Sequence, residues 1–160
     1  MKRAALAVGA VLLFALVGCS SPASGSPATS PAAAPGTVAV TFTIDAVVNG
    51  DGTVSLTAAS NLPDGTELGG HVSAEGGYRG SGSAVLQDGK ASFGPFSKDG
   101  GALPAGTYEV NVTMPIARNQ PEAVKAIIGE HGENLTGPQV QHDDITGDAV
   151  VSATKEVVID

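Results

Sequence analysis

Residues 106–114 read GTYEVNVTM, and this stretch decides the fold. Its apolar side chains occupy every second position, at Tyr108, Val110, Val112 and Met114. A period of two is typical of a β-strand that buries one face. Residues 103–106, LPAG, end on the first residue of this stretch and supply the proline and glycine of a turn. The stretch therefore predicts a strand that starts at a turn and packs one side on a core.

The same short alternation recurs on both sides of this strand, between turns rich in Gly, Pro, Asn and Asp. Turn dipeptides occur at Asn49-Gly50, Asp51-Gly52 and Asp88-Gly89. The other predicted strands are 38–44, 54–58, 67–74, 83–86, 91–93 and 150–159. About seven short strands predict an all-β, antiparallel sandwich.

Residues 115–147 interrupt the pattern before the last strand. A loop of this length has structure of its own or a function. Val124, Ile127 and Ile128 lie at helical spacing after Pro121, which predicts one short helix inserted before the last strand.

Two interpretations of this insertion stay open at this point. It covers an open end of the core as a lid, or it forms a platform that contacts a partner. The candidate partner-binding residues are Ile116, Val124, Ile127, Ile128, Asn134 and Leu135.

The sequence contains little that indicates catalysis. The chain has no Gly-x-Ser-x-Gly elbow. Ser81 stands in a Gly-Ser-Gly sequence that predicts a flexible turn, and glycine-rich turns contain serine by chance. We therefore expect no enzyme activity and no cofactor.

One acidic loop is a weak candidate for a metal site. His142, Asp143, Asp144 and Asp148 combine an imidazole with three carboxylates, ligands that suit Zn²⁺ or Ca²⁺. Their spacing matches no calcium loop, so we expect a solvated acidic surface and no metal.

The charge excludes one class of partner. The formal net charge is −8, and loss of Lys2 and Arg3 with a leader would take it to −10. An acidic surface repels nucleic acid and anionic headgroups.

The first residues have the form of an export signal. Lys2 and Arg3 precede an uncharged apolar run, 4–17, that is too short to span a bilayer. Leu16-Val17-Gly18-Cys19 resembles the bacterial lipobox. The resemblance implies a signal peptide over 1–18, cleavage before Cys19, and lipid on that cysteine. The protein would then be extracytoplasmic and held to the cell membrane.

A linker follows the cysteine. Residues 20–36 read SSPASGSPATSPAAAPG. This composition offers too little apolar surface for burial to offset the loss of conformational entropy on ordering. We predict a lipidated, disordered linker over 19–36 and a folded domain over 37–160. Stretches of this composition resemble the stalks of actinobacterial lipoproteins.

Three further segments, all within the predicted folded domain, resemble segments of known proteins. They are NLPDGT at 61–66, LPAGTY at 103–108 and GENLTGP at 132–138. They resemble segments of exported bacterial proteins with an immunoglobulin-like sandwich. The resemblance implies that fold, without the cysteine pair and core tryptophan of antibody domains, and no activity.

Together these features predict a monomeric, membrane-anchored binding module whose partner is a protein or another envelope component. The alternative is a carrier of a small ligand or lipid, which would need a concave apolar pocket.

Overall fold

The structure, a computed structural model, describes residues 36–160. Strands predominate, and a single turn of 3-10 helix at Ala117–Asn119 precedes one α-helix. The elements are β1 (Val38–Ala39), β2 (Phe42–Val48), β3 (Val54–Ser60), β4 (Glu67–Ala74), β5 (Arg79–Val85), β6 (Lys90–Phe96), β7 (Gly106–Met114), α1 (Glu122–Ile128), β8 (Leu135–Thr136), β9 (Val140–His142) and β10 (Ala149–Ile159).

The seven long strands form two antiparallel sheets. The first has the order β2-β3-β6, and the second has the order β5-β4-β7-β10 with β9 added at its edge. The distribution of the long strands between the two sheets is that of an immunoglobulin-like sandwich, with one difference. The fourth long strand, β5, pairs with β4 and not with β6. The predicted all-β sandwich is therefore confirmed.

Tyr108 fixes the start of β7. Its ring is buried, and its hydroxyl donates a hydrogen bond to the Pro104 carbonyl oxygen at 2.8 Å. A tyrosine that bonds back to the backbone just before its own strand is the corner motif of immunoglobulin-like sandwiches. The Gly-Thr-Tyr sequence thus anchors the turn to the core.

The core lies between the two sheets. Val110, Val112 and Met114 are fully buried on β7, as their alternation predicts. They face large side chains of the first sheet, chiefly Phe42, Leu56, Phe93 and Phe96. Aliphatic and aromatic burial of this kind is the main favourable term in folding.

The first predicted strand is divided in two. Residues 38–44 alternate as one strand would, but β1 leaves β2 and pairs in parallel with β8. The Asn61 side chain causes the break, because its amide donates to the Ala39 oxygen and accepts from the Thr41 N–H, each at 2.8 Å. The chain start is thereby tied to the insertion.

The other differences concern short or glycine-rich segments. β5 begins at Arg79, four residues before the predicted strand. Its early residues include glycines, which show no apolar alternation in the sequence. Gly80 is needed there because a Cβ at this position would come within 2.9 Å of the Phe96 ring. Close approach of this kind requires glycine inside a strand. The helix α1 lies where it was predicted, but β8 and β9 stand between it and the last strand.

Two adjacent glycines in β4 provide a matched test of the packing. A Cβ on Gly70 would lie 2.7 Å from the Phe93 ring, whereas one on Gly69 would lie 3.4 Å from the His71 side chain on the outer face. We expect Gly70→Ala to lower the free energy of unfolding by about 1–3 kcal/mol through overpacking. Gly69→Ala should change it by less than about 0.5 kcal/mol. Equal effects in urea unfolding would contradict the assignment of faces.

Candidate binding surface

The long strands run between two ends of the domain. We call the end formed by 37–41, 61–66, 86–90 and 115–148 the insertion end, and the end formed by 49–53, 75–78 and 97–105 the far end. The Val38 N–H donates to the Asn134 oxygen at 2.7 Å. The described chain therefore begins at the insertion end.

Half of the predicted partner-binding residues belong to the core. Val124 and Ile128 are fully buried on the inner face of α1, and Leu135 is buried on β8. They cannot contact a partner, which corrects their assignment. The spacing that indicated an apolar helix face was right, but that face covers the end of the sandwich as a lid.

A buried glutamine joins the insertion to the second sheet. The Gln120 side chain accepts from the Glu67 N–H at 2.8 Å and donates to the Glu67 oxygen at 3.1 Å. It thereby satisfies the backbone at the start of β4 as a neighbouring strand would. The insertion is part of the domain and not an appendage.

Asp148 is the second point of attachment. Its carboxylate is fully buried and accepts from Arg118 Nε at 2.5 Å and lies 2.6 Å from His131 Nδ1. Burial acts to raise its pKa, but the hydrogen bonds of His131 and Arg118 outweigh this and lower the pKa to about 2. One carboxylate thus holds two exposed parts of the insertion to the start of β10.

The loop between β9 and β10 is built around a second aspartate. Asp143 Oδ1 accepts from the Ile145 N–H at 3.1 Å and from the N–H and hydroxyl of Thr146 at 2.8 and 2.9 Å. These Thr146 bonds lower the pKa of Asp143. The Gly147 N–H also donates to the backbone carbonyl oxygen of Asp143 at 2.8 Å. Such side-chain-to-backbone bonds give a short loop a defined conformation.

This ordered loop presents an apolar residue to solvent. Ile145 is 92% exposed at its tip, the largest exposure among the large apolar residues of 36–160. Of the predicted partner-binding residues, Ile127 is 47% exposed and Ile116 is half-buried. The Asn134 side chain donates to the Ile127 oxygen at 3.0 Å and so supports the end of α1.

The weak metal candidates do not converge. Within 36–160, no three His, Cys, Asp or Glu side chains are placed to hold a metal ion. Asp143 bonds within its own loop, Asp148 bonds to Arg118 and His131, and His142 Nδ1 lies 3.2 Å from the Gly147 oxygen. Asp144 is exposed. His142, Asp143 and Asp148 therefore make contacts within the loop and the insertion.

Three residues of this surface escaped the sequence analysis. Ile145 carried a usable signal, because it is a lone branched apolar residue within the polar run DDITGD. Arg118 and His131 carried none, since they lie 30 and 17 residues from Asp148. Only the fold brings them together.

A recess of about 860 Å³ opens at the far end. Charged and hydroxyl-bearing side chains are prominent in its lining, among them Ser73, Arg79, Lys98, Glu109 and Glu156. A lipid carrier needs a concave, mostly apolar cavity, and this open polar recess does not have that chemistry. In the part of the chain that the structure describes, no helix is long and apolar enough to cross a membrane.

Comparison with protein-family models, with curated proteins and with solved structures finds no match to this chain.

Proposed function

We propose that this chain is an exported, lipid-anchored binding module without catalytic activity, and that its insertion end contacts a protein of the cell envelope. The observation that supports this binding surface is the exposure of Ile145, which is held almost fully exposed on an ordered loop. A rigid loop loses little entropy on binding. Burial of a branched apolar side chain would contribute about 1.5–3 kcal/mol.

The charges around Ile145 favour one kind of partner. Asp143 and Asp144 precede it in the loop, and Glu133 and Glu130, which pairs with Lys125, are exposed at the same insertion end. Together they give an acidic rim to the end that presents the apolar tip, and such a surface complements an apolar pocket bordered by Lys and Arg. The same rim opposes contact with an anionic lipid surface. The proposed partner is therefore a basic protein surface.

The attachment of the insertion supports this role. Asp148, Gln120 and the β1–β8 pair fix the insertion at three places. A binding surface held on rigid elements presents its contacts in one geometry. In-cell photo-crosslinking from position 145, with Val158 as control position, tests the proposal.

The anchor is tested separately through Cys19, which lies outside the described residues together with the proposed signal peptide and linker. Cys19→Ala should move the protein from the membrane fraction to the soluble fraction, because acyl chains on that thiol would hold it to the membrane. The melting temperature of the domain should not change. Continued sedimentation with membranes after a high-salt wash would refute lipid anchoring.

A further inference from the structure

The outer face of the second sheet carries a row of polar residues next to the recess at the far end. The strand register places Arg79 beside Ser73, Ser73 beside Glu109, and Glu109 beside Glu156. The row thus leads from a cation on β5 to a pair of carboxylates on β7 and β10. All four side chains line the recess.

Glu109 and Glu156 are two exposed carboxylates on neighbouring strands. They lie directly opposite each other on neighbouring strands, where like charges destabilise a sheet. The ion pairs formed within residues 36–160 involve other groups, so neither carboxylate is neutralised there. Arg79 and Lys98 are likewise without a carboxylate partner in that part of the chain. Conflicts of this kind are expected at functional sites.

One wall of the recess carries a fixed aromatic ring. The half-buried ring of Tyr78 lines the recess and packs edge to face, at a centroid distance of 5.8 Å, on the ring of Tyr108, which is buried in the core. The Tyr78 hydroxyl donates to the Ser97 oxygen at 3.1 Å, which holds the half-buried ring in place. An amphipathic ring of this kind can pack on the apolar part of a ligand.

A second, shallower recess of about 460 Å³ continues along the same face. It shares Ser73, Arg79 and Glu109 with the first and adds His71, Ser81 and Asn111 from the next row. Hydrogen-bonding groups therefore extend across the strands beyond the charged row.

We propose that this recess binds a short peptide with free termini. The peptide carboxylate would pair with Arg79 and Lys98, and its ammonium group would lie between Glu109 and Glu156. Neighbouring strands are about 4.8 Å apart, so Arg79 on β5 and Glu109 on β7 are separated by roughly 10 Å. An extended tripeptide spans about the same length. This site lies at the end opposite Ile145 and is independent of the proposed function.

The test uses the full-length protein in detergent micelles and trialanine as the probe. Amide chemical shifts in ¹⁵N-labelled protein should change at the residues that line the recess and saturate at millimolar peptide. N-acetyl-trialanine and trialanine amide each lack one charge, and each should bind at least about tenfold more weakly than trialanine. Shifts that are absent, lie elsewhere, or are equal for all three peptides would overturn the proposal.

Two variants separate binding from structure. Glu109→Gln should weaken trialanine binding about tenfold and at the same time raise the melting temperature, because it removes the like-charge contact. Glu67→Gln, an exposed substitution at the insertion end, should alter neither. If Glu109→Gln lowers the melting temperature or leaves binding unchanged, the carboxylates are structural and the proposal fails.

Discussion

Val110→Asp should abolish the cooperative unfolding transition of the domain. Val110 is fully buried at the centre of β7, between Val72 of β4 and Lys155 of β10. A carboxylate there faces the apolar interior, and burial without a partner costs several kcal/mol. The whole stability of a domain of this size is about 5–15 kcal/mol. Circular dichroism during heating measures the result.

A matched variant controls for charge on the same strand. Thr107 is exposed at the start of β7, so Thr107→Asp should keep a cooperative transition close to that of the unaltered protein. Equal melting temperatures for the two variants would contradict the assignment of the two faces of β7.

Asp148→Asn should give the second largest effect, a clear fall in melting temperature with local opening of the insertion end. The substitution keeps the shape of the side chain but removes the charge that pairs with Arg118 and His131. Amide protons of residues 145–148 should exchange with solvent about tenfold faster, because the loop loses its attachment. Asp144→Asn, in the same loop but exposed, should leave both measurements unchanged.

The contacts of Asp148 also predict that the stability of the domain depends on pH. The pKa of Asp148 is about 2 in the fold and 3.8 as a free side chain, so the unfolded chain binds a proton at higher pH than the folded one. The stabilisation from Asp148 is then complete above about pH 4 and is lost as the pH falls to 2. The difference in melting temperature between the unaltered protein and Asp148→Asn should shrink over that range. A constant difference would contradict the lowered pKa.

Local alternation was enough to predict the class of fold. The strand at Gly106–Met114 follows from its period of two, since it buries one face against a core. The helix α1 follows from the spacing of Val124 and Ile128. These features depend on residues close together in the chain.

Long-range contacts account for what the sequence did not reveal. The break between β1 and β2 depends on Asn61, about 20 residues away. The choice between lid and platform could not be made from α1 alone, because a buried face and a binding face share the same helical spacing. Asp148 looked like a metal ligand because its partners Arg118 and His131 are distant in sequence.

The measurement that tests the binding surface most directly is photo-crosslinking in the native host. The full-length, membrane-bound protein would carry the probe at position 145, and at position 158 in the control; Val158 is 63% exposed on β10, near the far end. We predict that position 145 captures one protein reproducibly, that position 158 does not, and that Asp148→Asn reduces the capture. Equal capture from both positions, or none from position 145 while the domain stays folded and anchored, would contradict the proposed role of the insertion end.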